Sequence, residues 1–272
     1  MTQIKTPKAW LIDIEGVLVR DKKYEPVEGS VAWMQEIAQS EVPYCLVSNN
    51  TTDRPDELVE RLSGLGFPVT EDHLVGALSL GVNWLLQRGK KQIMWLGAPR
   101  LNAFWQDMGF ELVEEGSCDA VVLGANSDLE IHHLDRALPA LLDGAADLVC
   151  LHRNHFFLDG EGMRRLGPGA WAAALELVSG AGKVVTVGKP EETIYLEALK
   201  RVGVGPDEAL FISDDPVADL VTAKKLGMAT VFTLSGKYTD HEILGRMDQQ
   251  QWPDVIVTVP ADLMTGKSHH GN

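Results

Sequence analysis

The chain has 272 residues, a hydrophobic fraction of 45% and a formal net charge of −15. That length and apolar content suffice for one large or two modest packed domains, while the acidic surplus argues against nucleic acid, whose phosphates require a basic surface. The first residues, Met1 to Lys8, are polar and no later apolar run approaches a bilayer span, so the expectation is a cytoplasmic protein with neither signal peptide nor membrane partner.

In chain order, the apolar pattern alternates strand and helix. Ala9 to Asp13 reads as a first strand, Gly29 to Ser40 as a helix, Pro43 to Ser48 as a strand, and Pro55 to Leu65 as a helix with proline near its start. Leu78, Val82, Leu85 and Leu86 then share one helical face before Gly89 ends the pattern. A second series begins at Gln92, with strands at Ile93 to Gly97, Cys118 to Gly124 and Leu148 to Leu151. Its helices are Leu101 to Met108, Leu134 to Leu142 and Ala170 to Val178. The first series resumes with a strand at Val184 to Val187, followed by helix Glu191 to Val202, strand Ala209 to Ser213, helix Val217 to Leu226 and strand Thr230 to Thr233. This is the pattern of a doubly wound α/β fold with parallel strands and right-handed crossovers. Cys45, Cys118 and Cys150 lie in or beside the apolar strands without metal-ligand spacing and read as buried reduced thiols.

Four short polar stretches each follow an apolar run: Asp13-Ile14-Glu15-Gly16, Ser48-Asn49-Asn50, Gly188-Lys189-Pro190 and Ser213-Asp214-Asp215-Pro216-Val217-Ala218-Asp219. Each therefore falls at the carboxyl end of a strand, where open α/β sheets bind ligands. A carboxylate nucleophile approaches a negatively charged phosphoryl group only if a cation and a positive side chain neutralise both. Asp13 would be that nucleophile, forming an aspartyl-phosphate. Asp214 and Asp219 would hold Mg²⁺. Ser48 and Asn49 would bind phosphate, Lys189 would supply a compact positive charge, and Glu15 would protonate the leaving oxygen and then take a proton from water.

Taken singly, each residue has a blander reading. Asp13 and Asp214 resemble helix caps, Ser48 the cap of the next helix, and Asn49 and Asn50 turn formers. Lys189 could be a solvated lysine beside a helix-starting proline, and Asp219 a first-turn aspartate facing the helix dipole. The conjunction in order favours the catalytic reading.

These motifs resemble those of the haloacid-dehalogenase-like (HAD) phosphohydrolases. Ser48-Asn49-Asn50 after a strand, the long insertion before the lysine, and Leu166-Gly167-Pro168-Gly169 ahead of Gly188-Lys189-Pro190 resemble the NagD-like branch, subfamily IIA. Within it, the stretch from Leu151-His152-Arg153 through Gly169, with Lys189-Pro190-Glu191, is similar to the phospholysine/phosphohistidine/inorganic pyrophosphate phosphatases and their uncharacterised relatives. The resemblance implies a Rossmann-like core with a large inserted α/β cap, Mg²⁺-dependent hydrolysis of a small phosphorylated metabolite, and homodimerisation through the cap. It also implies a metal set of Asp13, Asp214 and Asp219 with position 15 contributing its backbone carbonyl. Two positions depart from the pattern: Glu15 stands where the family has aspartate, and Ser213 where it has glycine.

Two motifs precede the insertion and two follow it, so the core is expected to be discontinuous, residues 1–89 and 182–272, with residues 90–181 as the cap. Gly89-Lys90-Lys91 and Gly180-Ala181-Gly182 would serve as hinges. Substrate reading would fall to the cap, with His152 and Arg153 as candidates; an ordinary loop packing on its own domain is the competing reading. The polar tail Thr265 to Asn272 reads as disordered. An alternative function is a phosphometabolite-binding protein of low turnover, which Glu15 keeps open. Metal-free dehalogenation is opposed by Asp214 and Asp219, a receiver domain by the long insertion, and nicotinamide binding by the lack of G-x-G-x-x-G after the first strand.

Overall fold

The computed structural model describes residues 6–20, 23–159, 161, 163–180 and 184–266. The hinge reading of Ala181 and Gly182 and most of the tail reading lie outside the described residues. In chain order the elements begin β1 (Ala9–Ile12), β2 (Val19–Arg20), β3 (Glu25–Pro26), α1 (Ser30–Gln39), β4 (Tyr44–Ser48), α2 (Pro55–Gly64), β5 (Leu74–Gly76) and α3 (Ala77–Gln87). Next come β6 (Gln92–Leu96), α4 (Asn102–Asp107), β7 (Glu111–Leu112), β8 (Ala120–Leu123), α5 (Ile131–Leu142), β9 (Asp147–Cys150), β10 (Phe156–Leu158), β11 (Arg164–Leu166) and α6 (Pro168–Ser179). The chain continues with β12 (Val185–Thr186), α7 (Glu192–Val202), β13 (Ala209–Ser213), α8 (Val221–Leu226), β14 (Ala229–Thr233), β15 (Val255–Val257) and α9 (Asp262–Thr265). Among the described residues, no helix is long and apolar enough to cross a membrane.

The chain divides into two compact units. The first comprises Met1–Ser48, Leu58–Val75 and Glu192–Asn272. Its sheet runs β15-β14-β13-β1-β4-β5, with β13 and β4 flanking β1 in parallel. Period-2 alternation gives the sheet two apolar faces. Ile12, Leu46, Leu210, Ile212 and Val231 pack with Trp33, Met34 and Ile37 of α1 and Leu58 and Leu62 of α2. On the alternate positions Phe211 meets Tyr195 of α7 edge to face, ring centroids 5.5 Å apart. The register pairs Ile12 with both Ile212 and Leu46, so the residues just beyond these strands leave the sheet side by side.

The second unit comprises Asn49–Glu57 and Gly76–Glu191, with the strand order β12-β9-β8-β6-β7. The same alternation splits its core: Ile93, Ala120, Val122 and Val149 pack with α3 and α4, while Met94, Val121, Leu123 and Leu148 pack with α5 and α6. β12 corrects the sequence reading. Val185 and Thr186, expected to rejoin the first series, pair in parallel with Val149 and Cys150. A two-residue apolar strand suits either sheet, and its partner is a tertiary choice that local pattern does not encode. The doubly wound, parallel-strand architecture expected from sequence is the one observed.

Candidate active site

β1 ends at Ile12, and Asp13 continues its line with a backbone N–H donated to the Ile212 carbonyl at 3.0 Å. The Asp13 side chain is buried; its Oδ1 accepts the Ile14 N–H at 2.8 Å and its Oδ2 lies 3.3 Å from the Ser213 hydroxyl. Ser213 ends β13, and its Oγ donates to Asp219 Oδ2 at 2.6 Å while accepting the Asp215 N–H at 3.1 Å. Glu15 is half-buried, its Oε2 within 3.3 Å of the Ser48 hydroxyl at the end of β4. These contacts gather Asp13, Glu15, Ser48, Ser213 and Asp219 at the carboxyl edge of the first unit's sheet.

Asp214 is held by two glycines and a backbone amide. A Cβ at Gly16, where φ is +81°, would lie 1.9 Å from Asp214 Oδ2, and one at Gly236 would lie 2.0 Å from the same oxygen. The Lys237 N–H donates to that oxygen at 2.6 Å, and the Ser235 hydroxyl ties the loop down by donating to the Gly16 carbonyl at 2.7 Å. The helix-capping role falls to Asp215 rather than Asp214: its Oδ1 accepts the N–H groups of Val217 and Ala218 at 3.2 and 3.0 Å. Asp215 Oδ2 also pairs with Lys237 Nζ at 2.5 Å. Burial alone would lower the Lys237 pKa, but the Asp215 carboxylate outweighs it and holds the ammonium above its ordinary value of 10.5.

After the cap the chain makes one wide π turn, Pro216–Leu220, before α8 begins, so the expected helix Val217 to Leu226 is two pieces. Single π turns are frequent at functional sites. Asp219, within this turn, is 3% exposed and does not face solvent. The Tyr195 hydroxyl donates to its carbonyl at 2.9 Å. Burial, reinforced by Asp219, Asp13 and Asp215, pushes the Tyr195 phenol well above 10.0, so it remains a neutral donor beneath the acidic cluster.

Asp13, Asp214, Asp215 and Asp219 are all buried at this edge of the sheet. Concentrated buried negative charge is costly unless a cation offsets it. Among the described residues, no three His, Cys, Asp or Glu side chains form a ready-made metal cage. Mg²⁺ needs none, because it is commonly held by one or two carboxylates and completed by other oxygens. The Asp214 carboxylate, fixed where no Cβ fits, and the neighbouring all-oxygen donor set suit such an ion.

The second unit carries the remaining candidates. Asn49 brackets the Lys189 peptide: its Oδ1 accepts the Lys189 N–H at 2.8 Å and its Nδ2 donates to the Lys189 carbonyl at 3.0 Å. Lys189 is 2% exposed, which excludes the solvated-lysine reading. Asn50 is a turn former, its Oδ1 accepting the N–H groups of Thr52 and Asp53, both at 2.9 Å. His152 is 3% exposed and lies 3.3 Å from the Thr51 hydroxyl, which in turn accepts the Ala125 N–H. Arg153 donates from Nε to the Thr186 hydroxyl at 3.1 Å and reaches Glu176 at 3.7 Å. Gly167 and Gly169 pack on the backbone of this segment, where a Cβ would meet the carbonyls of Asn154 and Arg153 at 2.1 and 2.3 Å. That close approach is the physical content of the Gly-Pro-Gly spacing.

Sequence reasoning missed Tyr195, Gly236 and Lys237 and gave Ser213 no role. A buried tyrosine on an amphipathic helix reads as ordinary core, and the Ser235-Gly236-Lys237 loop reads as a turn; only the glycine between two polar residues offered a signal.

Comparison with known proteins assigns the family. Residues 10–111 match the haloacid dehalogenase-like hydrolase family, and residues 186–263 match the HAD-hydrolase-like family. Human haloacid dehalogenase-like hydrolase domain-containing protein 2 is 32% identical over 239 residues, 88% of each chain. The phospholysine phosphohistidine inorganic pyrophosphate phosphatase of Xenopus laevis is 26% identical over 236 residues, 85% of this chain and 84% of the relative. Among solved structures, the p-nitrophenyl phosphatase from Archaeoglobus fulgidus superposes with a TM-score of 0.83 at 25% identity, covering 97% of this chain and 100% of that one. NagD from Escherichia coli shares the fold, with a TM-score of 0.78 at 22% identity over 95% and 98% of the two chains. The chain belongs to the haloacid-dehalogenase-like hydrolases.

Proposed function

We propose that this HAD-type phosphatase hydrolyses a small phosphorylated metabolite with Mg²⁺ through an aspartyl-phosphate on Asp13. The observation that carries the reading is the setting of Asp13: a buried carboxylate at the end of the central strand, beside Ser213 and in one cluster with Asp219. In the first step an Asp13 oxygen bonds to phosphorus as the bond to the leaving oxygen breaks, and Glu15 gives that oxygen a proton. In the second step Glu15 takes a proton from water, whose oxygen attacks phosphorus, releasing inorganic phosphate and restoring the Asp13 carboxylate. Ser48 orients a phosphoryl oxygen, and Lys189, assigned by its place in the motif order, offsets phosphoryl charge. Asp13, Asp214, Asp219 and the Glu15 carbonyl would hold Mg²⁺, which supplies charge neutralisation. The low-turnover alternative is not favoured, since relatives matched along most of the chain are named as hydrolases and phosphatases.

The test is phosphate release from p-nitrophenyl phosphate, with Mg²⁺ and with chelator, by wild type and Asp13→Asn. Wild type should turn over only with Mg²⁺, and Asp13→Asn should fall to background. Equal rates in the two proteins would remove Asp13 as nucleophile.

A further inference from the structure

We propose that Ser213 is a positioning residue of this site: its hydroxyl orients the Asp219 carboxylate and thereby sets the affinity for the divalent cation. The inference rests on the Mg²⁺ reading above. Ser213 is fully buried at the end of β13, and its Oγ has three polar neighbours: Asp219 Oδ2 at 2.6 Å, the Asp215 N–H at 3.1 Å and Asp13 Oδ2 at 3.3 Å. A serine hydroxyl carries a single proton. The 2.6 Å contact has the length of a charge-assisted O–H···O⁻ bond, whereas 3.3 Å exceeds the usual O–H···O span. The proton therefore points to Asp219, and the Asp215 N–H occupies the lone-pair side and keeps the hydroxyl from turning.

Asp219 is thus held at both ends. Its backbone is fixed by the π turn, with its N–H on the Asp215 carbonyl at 3.1 Å and its own carbonyl accepting from Tyr195 at 2.9 Å. Its side chain is fixed by Ser213. The proton delivered to Asp219 Oδ2 at 2.6 Å fixes which way that oxygen faces. Hydrogen bonds of this kind, one step outside a metal's ligands, orient those ligands. Glycine, usual at this position in the motif, has no such group.

The experiment is calorimetric Mg²⁺ titration of the full chain, without substrate, on wild type, Ser213→Ala, Asp219→Asn and the double variant. Ser213→Ala should weaken Mg²⁺ binding by about 10- to 100-fold. In the Asp219→Asn background the same change should cost no more than about twofold, because the anionic ligand that the hydroxyl orients is already gone. Activity of Ser213→Ala toward p-nitrophenyl phosphate should recover as Mg²⁺ is raised. Wild-type Mg²⁺ affinity in Ser213→Ala, or an equal loss in both backgrounds, overturns the proposal. Ser213→Gly, lacking the hydroxyl but matching the usual motif, serves the same measurements if the alanine variant does not fold. A wild type that binds no Mg²⁺ and works equally in chelator would refute the metal reading itself, a different result from a Mg²⁺-binding wild type whose affinity ignores Ser213.

Discussion

Gly236 approaches Gly16 so closely that a Cβ on Gly236 would lie 2.4 Å from the Gly16 Cα and 2.0 Å from Asp214 Oδ2. Space forbids a side chain at Gly236, while Gly16 adds a φ of +81°, which only glycine adopts at low cost. Gly236→Ala should push the loop away, withdrawing the Lys237 N–H from Asp214 and weakening Mg²⁺ binding about tenfold or more. Gly16→Ala should in addition destabilise the fold by about 2–4 kcal/mol, from overpacking and left-handed strain together. Mg²⁺ titration and urea unfolding measure the two effects; wild-type affinity in Gly236→Ala would show that the loop does not hold Asp214.

How far the sequence carries can be read from individual residues. The ends of β1, β4 and β13 fall where their apolar runs stop, so Asp13, Ser48 and Ser213 could be placed at one sheet edge from pattern alone. The register that aligns those ends, Ile12 with Ile212 and Leu46, is a long-range pairing no local signal contains. The same is true of β12, whose partner is β9, and of the β10–β11 hairpin, which lies where no strand is expected from sequence. The capping pattern around Asp214 and Asp215 was legible as a helix start, but which aspartate caps depends on the π turn, a backbone choice made by tertiary contacts. Lys237 and Tyr195 were illegible because their chemistry comes from neighbours distant in sequence.

Glu15 should matter most when the leaving oxygen is a poor leaving group. p-Nitrophenolate departs without help, whereas an alkoxide needs a proton. Glu15→Gln should therefore reduce kcat/KM for an alkyl phosphate such as glycerol phosphate by about 100-fold or more, and for p-nitrophenyl phosphate by much less. Glu15→Asp should raise kcat/KM for the alkyl ester, because the shorter arm draws the carboxyl away from Ser48, 3.3 Å from Oε2 in the native site. Equal losses on both substrates in Glu15→Gln would remove the residue as general acid.

Asn49 holds the Lys189 peptide. Both ends of its amide are bonded to the Lys189 peptide, at 2.8 and 3.0 Å, and Gly188 leaves only 2.6 Å between a notional Cβ and Asn49 Oδ1. Asn49→Ala leaves a part-buried N–H and C=O without these partners, at a cost of about 1–3 kcal/mol for an unsatisfied group. Asn49→Asp keeps the acceptor and sets a carboxylate oxygen against the Lys189 carbonyl, so it should be at least as damaging. The expected outcome is a loss of thermal stability in both variants together with lower kcat/KM for p-nitrophenyl phosphate; unchanged kinetics in a folded Asn49→Ala would free Lys189 from dependence on this bracket.

Asp254 supplies an acid-sensitive clasp between β14 and β15. Its Oδ2 accepts both the N–H and the hydroxyl of Thr230 at 2.8 Å, and its Oδ1 pairs with Lys224 Nζ at 2.6 Å. Burial by itself would raise this carboxyl, but the bonds from Lys224 and Thr230 outweigh it and hold the pKa below 3.8. A folded-state value below the unfolded one means that the clasp stabilises fully above about pH 3.9 and loses its contribution as the pH falls through the lower folded value. Because the side chain is partly exposed, screening limits that contribution to about 1 kcal/mol. Asp254→Asn should thus lower stability by about that much at pH 7, with the gap to wild type closing below pH 4 as the native carboxylate protonates. Urea unfolding of both proteins from pH 7 down to pH 3 measures it: a difference constant over that range would mean that the charge on Asp254 contributes nothing to the clasp.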